Sequence, residues 1–315
     1  MTLLPLIDSY IGLKRSMGMR LRSEAVILKA YGRAVGDIDI SEVKPETVLA
    51  FIRGDGPVTS FWRCKLQTLR GFYRFAVRRG FATTMPLPTI QPKLPAPLQP
   101  YIYSVDELKR LLAATDSLQL PYRSPLQALM FRTLLLLLYG TGMRIGGALS
   151  LTLRDVDLAD RLITIHDAKF FKSRLVPIGP ELTQKLADYA ARRRRLALPE
   201  GESSAFFATR TGHGVCYARV HILFHRVREC AGVKRESSAR YQPRIHDIRH
   251  SAAIHRLIAW YKAGADVQRL LPQLATYLGH KDLASIQHYL SMTPELLHEA
   301  SERFERYAQP ENRHE

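Results

Sequence analysis

The sequence predicts a mainly α-helical protein with a small antiparallel β-sheet, an α+β fold carried on two domains. Three observations predict it. Apolar residues recur at helical spacing through most of the 315 residues, whereas only residues 161–165 and 174–178 alternate as strands do. Six prolines crowd the stretch from Pro86 to Pro100, which rules out a helix there and makes a stiff spacer. The chain length itself suits two domains.

Before the spacer, residues 1–95 read as a helical domain. Residues 3–17, 22–33 and 44–52 form amphipathic stretches, and residues 60–79 form the strongest one. In that last helix Leu66, Leu69, Tyr73 and Val77 mark an apolar face. Arg63, Arg70, Arg74 and Arg78 lie on another, at steps of seven, four and four. Such a stripe suits a phosphate backbone, and it would equally serve as a solvated face. Residues 96–103 end the spacer. Ser104 and Glu107 then form a capping box that opens a second domain, residues 104–315.

Within that domain residues 125–139 form an apolar helix expected to stop at Gly140, followed by Thr141-Gly142-Met143-Arg144. The two strands flank a hairpin loop with Lys169 and Lys172. Residues 181–196 form a helix ending in Arg192-Arg193-Arg194-Arg195, cations that favour the helix dipole and are candidates for DNA contact. Residues 217–231 form another helix. His221 and His225 stand four apart on it, but Glu does not follow His221 and no third ligand is apparent, so no metal site is expected.

Between Pro243 and Tyr289 the chain packs His246, Arg249, His280 and Tyr289. His246 and Arg249 are three apart and share a helix face. Asp247 suits the first turn of that helix. His280 and Tyr289 are nine apart, on opposite sides of one continuous helix, so they face one group only if the helix breaks, and Gly279 supplies the break.

A net charge of +17 and a pI near 10 point to a polyanionic partner, nucleic acid first. Residues 1–95 carry a surplus of eight positive charges, from 15 Lys/Arg against seven Asp/Glu, so both domains are basic. Three cysteines without a paired spacing fit a reducing, cytoplasmic setting, and neither a signal peptide nor a membrane span is evident. No P-loop, GxGxxG, nucleophile-elbow serine or carboxylate cluster competes as an active site.

The motifs His246-Asp247-Ile248-Arg249-His250 and Tyr277-Leu278-Gly279-His280, with Tyr289 nine residues on, resemble the C-terminal signature of the tyrosine recombinases, the phage-integrase family. The run from Thr141 to Leu158 is similar to that family's first arginine motif. "KFFKSRLVPI" is similar to its lysine hairpin. The resemblance is strong over residues 104–291, and earlier residues share only their helical character.

The resemblance implies a site-specific recombinase from a mobile element that cuts and rejoins double-stranded DNA through a 3′-phosphotyrosine, without cofactor or metal. Tyr289 would be the nucleophile, with Tyr277 the nearest rival. Arg144 and Arg249 would stabilise the pentavalent phosphorus, His246 would take the phenolic proton, and His280 would bind a phosphate oxygen. Lys169 would protonate the 5′-oxygen, with Lys172 as fallback acid or DNA contact. The N-terminal domain would clamp DNA through Arg63, Arg70, Arg74 and Arg78. A homo- or hetero-tetramer in the DNA synapse is implied, with the amphipathic tail at residues 295–307 docked on a neighbour or on its own domain. An accessory DNA-binding protein without catalysis is the alternative, and a relaxing topoisomerase a third reading.

Two departures from the family stand out. The interval from Arg249 to His280 is longer than usual, as an insertion or a lengthened helix-turn-helix would make it. Gly147 occupies the position where the family carries an acid behind the first arginine, and Asp247 is a candidate replacement brace for Arg144.

Overall fold

Why each stretch takes its conformation is visible in a computed structural model, which describes residues 1–19, 21–96, 98–119, 126–167, 172–236, 239 and 241–279, with 297, 298, 301, 302 and 305 of the tail. The chain divides into two compact units. One comprises Met1–Leu98 with Asp167–Lys172, and the other Gln99–His166 with Ser173–Glu315. Among the described residues no helix is long and apolar enough to cross a membrane.

The first unit contains α1 (Leu3–Ser16), α2 (Arg22–Val35), α3 (Pro45–Arg53) and α4 (Ser60–Arg78). Pro45 sits at the start of α3, where a missing N–H costs nothing. The other end of α3 is closed by Lys65 of α4, whose ammonium donates to the Phe51 carbonyl at 2.7 Å. α4 buries Trp62, Leu66, Leu69, Tyr73 and Ala76, which recur every three to four residues. This face turns toward Ala76 rather than Val77, which is half-buried. The Tyr31 and Tyr73 hydroxyls satisfy each other at 2.6 Å inside this core.

In the second unit α5 (Val105–Ala114) opens with the capping box: the Glu107 amide donates to Ser104 Oγ at 3.1 Å, and the Ser104 amide to Glu107 Oε2 at 2.9 Å. Next come α6 (Gln127–Thr141) and the short α7 (Ile145–Leu149). β1 (Val156–Asp157), β2 (Leu162–Asp167) and β3 (Lys172–Pro177) form an antiparallel sheet in that order, with Val156 opposite Ile163. The chain ends in α8 (Pro180–Arg194), α9 (Tyr217–Cys230), α10 (Asp247–Lys262) and α11 (Val267–Leu278).

α6 is the central helix, with Phe131, Leu134, Leu135, Leu137 and Leu138 buried. It does not stop at Gly140. A Cβ there would lie 2.9 Å from Leu182 Cδ2, so that glycine serves close packing against α8. The helix ends instead at Gly142, at φ +59°. The arginine run of α8 is also not uniform. Arg193 is 1 % exposed and its Nη2 donates to the carbonyls of Pro199 and Ala205 at 2.7 and 3.1 Å, whereas Arg192, Arg194 and Arg195 are exposed. A guanidinium so enclosed holds the 199–205 loop and is out of reach of DNA.

The long interval after Arg249 is filled by two helices. α10 runs to Lys262, the chain turns at Gly264, and Asp266 caps α11 by accepting the Arg269 amide at 3.2 Å. Ile254, Leu257, Leu274 and Leu278 close the core between them.

Candidate active site

Arg249 lies at the centre of three converging segments. It is 3 % exposed, and its Nη1 donates to the Gly142 carbonyl at 2.6 Å and to the Leu278 carbonyl at 2.8 Å. Carbonyls at and just beyond helix ends have no intrahelical donor, and a guanidinium fork reaches two at once. The ends of α6 and α11 are therefore tied to α10 through one side chain. Gly142 is needed for this closeness: it has positive φ, and a Cβ would fall 2.4 Å from Leu278 Cδ2.

Arg144 lies two residues beyond Gly142, capping α7 with its backbone, and its side chain is exposed. No side-chain hydrogen bond or ion pair joins Arg144 to a described residue, although its carbonyl accepts from the Gly147 and Ala148 amides at 2.9 and 3.1 Å. Asp247, the candidate brace, is committed elsewhere. Its buried carboxylate accepts from Arg244 Nη2 at 2.9 Å, Arg244 Nε at 3.4 Å and the Arg244 amide at 2.9 Å. Three residues upstream, Arg244 reaches Asp247 across one tight turn, which removes the acid from Arg144's use.

His246 is the N-cap residue just before α10 and is half-buried. Its ring meets His250 edge to face, with centroids 5.2 Å apart. Burial holds the His246 pKa below the ordinary imidazole value, and the Arg249, Arg244 and Arg144 charges lower it further against the opposing pull of Asp247. His250 is lowered to about 4, by burial first and then by His246. Both imidazoles are neutral at pH 7, which leaves a ring nitrogen able to accept a proton.

Lys172 is the first residue of β3. Lys169, His280 and Tyr289 lie outside the described residues, as does most of the tail at residues 295–307. Tyr277 is half-buried, and its hydroxyl donates to the Pro177 and Gly140 carbonyls at 3.1 and 3.5 Å. Burial raises its pKa, which makes it a poor nucleophile where it stands. On α4, Arg63, Arg74 and Arg78 are exposed and Arg70 is half-buried.

Two residues around the site carried no signal in the sequence reading. Arg174 of β3 donates through Nη1 to the Leu278 carbonyl at 3.0 Å. Tyr103, buried at the end of the proline-rich stretch, donates through its hydroxyl to the Arg244 carbonyl at 2.9 Å and through its amide to Ser251 Oγ at 2.8 Å. Arg174 sits inside the quoted "KSRLVPI" motif, and that position was the available clue. Tyr103 offered only its place one residue before a helix cap.

The profile of the Phage integrase family matches residues 103–295. The integrase/recombinase-type protein y4rB of Sinorhizobium fredii is 34 % identical over 95 % of this chain and 96 % of its own length. The tyrosine recombinase XerC of Oceanobacillus iheyensis is 31 % identical over 75 % of this chain and 71 % of its own. Among solved structures the Tn1549 transposon integrase in complex with a circular intermediate DNA superposes with a TM-score of 0.67. It is 15 % identical and covers 96 % of this chain and 99 % of that one.

Proposed function

Because this chain belongs to the phage integrase family of tyrosine recombinases, we propose that it cleaves and rejoins DNA strands through a 3′-phosphotyrosine formed at Tyr289. The observation that carries the reading is the placement of Arg249, fixed by the Gly142 and Leu278 carbonyls between the segments that lead to Arg144 and to His280. Positive charge held in place before the reaction stabilises a phosphorane without reorganisation during it.

In the proposed step the Tyr289 oxygen attacks the scissile phosphorus as the bond to the 5′-oxygen breaks. Arg144 and Arg249 oppose the added negative charge, and His280 donates to a non-bridging oxygen. His246, neutral at pH 7, accepts the phenolic proton. Lys169 gives a proton to the departing 5′-oxygen. A 5′-hydroxyl from another strand then attacks the phosphotyrosine and reverses the sequence. The first unit would clamp DNA through Arg63, Arg70, Arg74 and Arg78, with Lys172 adding a contact from the hairpin. Tetramers would assemble on paired sites, with like or unlike partners. The relatives' names, integrase and transposon integrase among them, favour a mobile-element origin for this chain.

The test uses a duplex recovered by the purified protein from a randomised library, nicked near the cleavage position so that the 5′-hydroxyl fragment diffuses away. The parent protein should accumulate a covalent adduct on the 3′ side of the cut. Tyr289→Phe should lose it while keeping DNA affinity. An adduct that persists in Tyr289→Phe and vanishes in Tyr277→Phe would move the nucleophile. Tight binding with no adduct would turn the reading toward an accessory DNA-binding protein.

A further inference from the structure

The turn just before α10 holds a guanidinium more firmly than a helix cap requires. Asp247 is buried, with its side chain 2 % exposed, so its carboxylate needs partners. The Arg244 amide alone would cap it, donating to Oδ2 at 2.9 Å. The Arg244 side chain adds a second set of bonds, from Nε to Oδ2 at 3.4 Å and from Nη2 to Oδ1 at 2.9 Å. The Arg244 carbonyl is held as well, by the Asp247 amide at 3.0 Å and the Tyr103 hydroxyl at 2.9 Å. One residue upstream, Arg228 Nη1 donates to the Pro243 carbonyl at 3.4 Å.

These bonds occupy one edge of the guanidinium. The group offers two forks, Nε with Nη2 and Nη1 with Nη2. Asp247 takes the first. Nη1 makes no hydrogen bond or ion pair with a described residue, and the Arg244 side chain is 42 % exposed. Compensating the buried carboxylate accounts for the inner fork and leaves the outer one unused. Arg244 stands two residues before His246 on the same turn, and its charge lowers the His246 pKa together with those of Arg249 and Arg144. Three guanidinium groups therefore act on one imidazole. Of the two with exposed side chains, Arg144 has Gly147 in place of an acid behind it, whereas Arg244 has Asp247. A planar fork fixed in advance matches a phosphate and stabilises added charge without reorganising.

We propose that Arg244 is a further catalytic residue, presenting its outer fork to the scissile phosphate beside Arg144 and Arg249. The inference rests on the reading of this site as the one that cleaves DNA. As the Tyr289 oxygen–phosphorus bond forms and the bond to the 5′-oxygen breaks, negative charge builds on the non-bridging oxygens. Arg244 opposes that charge while Asp247 holds the fork still. No proton passes through Arg244.

The experiment measures adduct formation at saturating protein on the selected duplex, with an ordinary scissile phosphate or with a methylphosphonate there. The methylphosphonate lacks one non-bridging oxygen and the negative charge. Arg244→Gln is combined with Asp247→Asn, so that no uncompensated carboxylate stays buried and the 244 amide keeps a side-chain acceptor. The paired variant should be slowed at least about tenfold on phosphate and come within about threefold of the parent on methylphosphonate. Asp247→Asn alone keeps the guanidinium and should lose less. Arg244→Lys, which keeps the charge without the fork, should fall between the parent and the paired variant. An equal deficit on both substrates would mark Arg244 as a structural residue and overturn the inference, as would a parent-like rate on phosphate. A loss as large in Asp247→Asn alone would assign the effect to the cap and overturn it too. So would rescue by a methylphosphonate at a neighbouring phosphate in place of the scissile one, which would make Arg244 an ordinary backbone contact. Arg144→Ala in the same assay separates the two readings. If it is rescued on methylphosphonate and the paired variant is not, the role of Arg244 alone fails. If the parent forms no adduct on phosphate, the reading of the site as one that cleaves DNA falls, and the inference with it.

Discussion

Arg174 and Arg249 donate to the same atom, the Leu278 carbonyl oxygen, at 3.0 and 2.8 Å. Two like charges share one acceptor because that carbonyl ends α11, where the helix dipole is negative. The segment entering His280 is thereby fixed from β3 and from α10 together. A Cβ on Gly279 would fall 1.2 Å from Arg174 Nη1, and Gly279 adopts φ +71°.

From this follows a double-mutant test. Arg174→Ala should lower stability by about 1.5 kcal/mol, the usual range for a hydrogen bond from a charged group. Gly279→Ala should cost about 1 kcal/mol for the left-handed backbone, and more for displacing the guanidinium. With Arg174 already removed the collision disappears, so the double variant should be more stable than the sum of the losses by about 1 kcal/mol. Urea unfolding of the four proteins reads this directly, and strict additivity would deny the contact.

Acid should weaken the protein in a defined window. The folded pKa of His250 is depressed to about 4 from 6.5, and that of His246 is depressed as well. Below pH 6.5 the unfolded chain binds protons that the folded chain refuses, so stability is full above 6.5 and declines as pH falls toward about 4. His250→Asn should flatten that decline. Adduct formation, in which neutral His246 is proposed to take the phenolic proton, should hold between pH 7 and 6.5 and drop only on further acidification. A stability profile flat from 6.5 to 4 would contradict the buried, neutral imidazoles.

Salt dependence reports on α4. Arg74 is exposed there and Arg70 half-buried, and both lie on the basic face. If they meet phosphates, replacing each with Ala should flatten the log–log salt slope of DNA binding by roughly 0.9. An unchanged slope returns the face to solvent.

Gly147 offers a gain. Asp247 is engaged by Arg244, and a Cβ at Gly147 would meet only Ile165 Cγ2, at an ordinary 3.6 Å. Gly147→Glu therefore fits sterically, and its carboxylate lies one helical turn from Arg144. Cleavage should rise about three- to tenfold with DNA affinity nearly unchanged, because a steadier arginine acts on the transition state. Slower cleavage would mean the added acid competes with phosphate for Arg144.

The helices and the two long strands were legible because apolar spacing alone specifies them, as was the cap at Ser104. The Arg144 and His246–Arg249 motifs were legible because each is local. What escaped was long-range. Gly140 reads as a stop in sequence and is in fact a packing site for Leu182, a contact made by another helix. Arg193 reads as one of four surface cations, and only the path of the 199–205 loop buries it. Asp247 looked available to Arg144 because spacing does not reveal that Arg244 reaches it first. His166 meets Asp155 at 2.9 Å and Ser173 at 3.0 Å, contacts within residues 155–173 that no pairwise interval announces.

Tyr103 has a practical consequence for cutting the chain. Its hydroxyl and amide are sewn to Arg244 and Ser251, one residue on either side of the stretch from Ile245 to His250. A fragment begun at Ser104, where the helix cap invites a start, would discard that stitch and a fully buried tyrosine with it. The same fragment begun at Gln99 keeps the tyrosine and also the Gln99 carbonyl that Arg235 holds at 2.8 Å. Five residues at the amino end thus separate a fragment that keeps both of these ties from one that loses them.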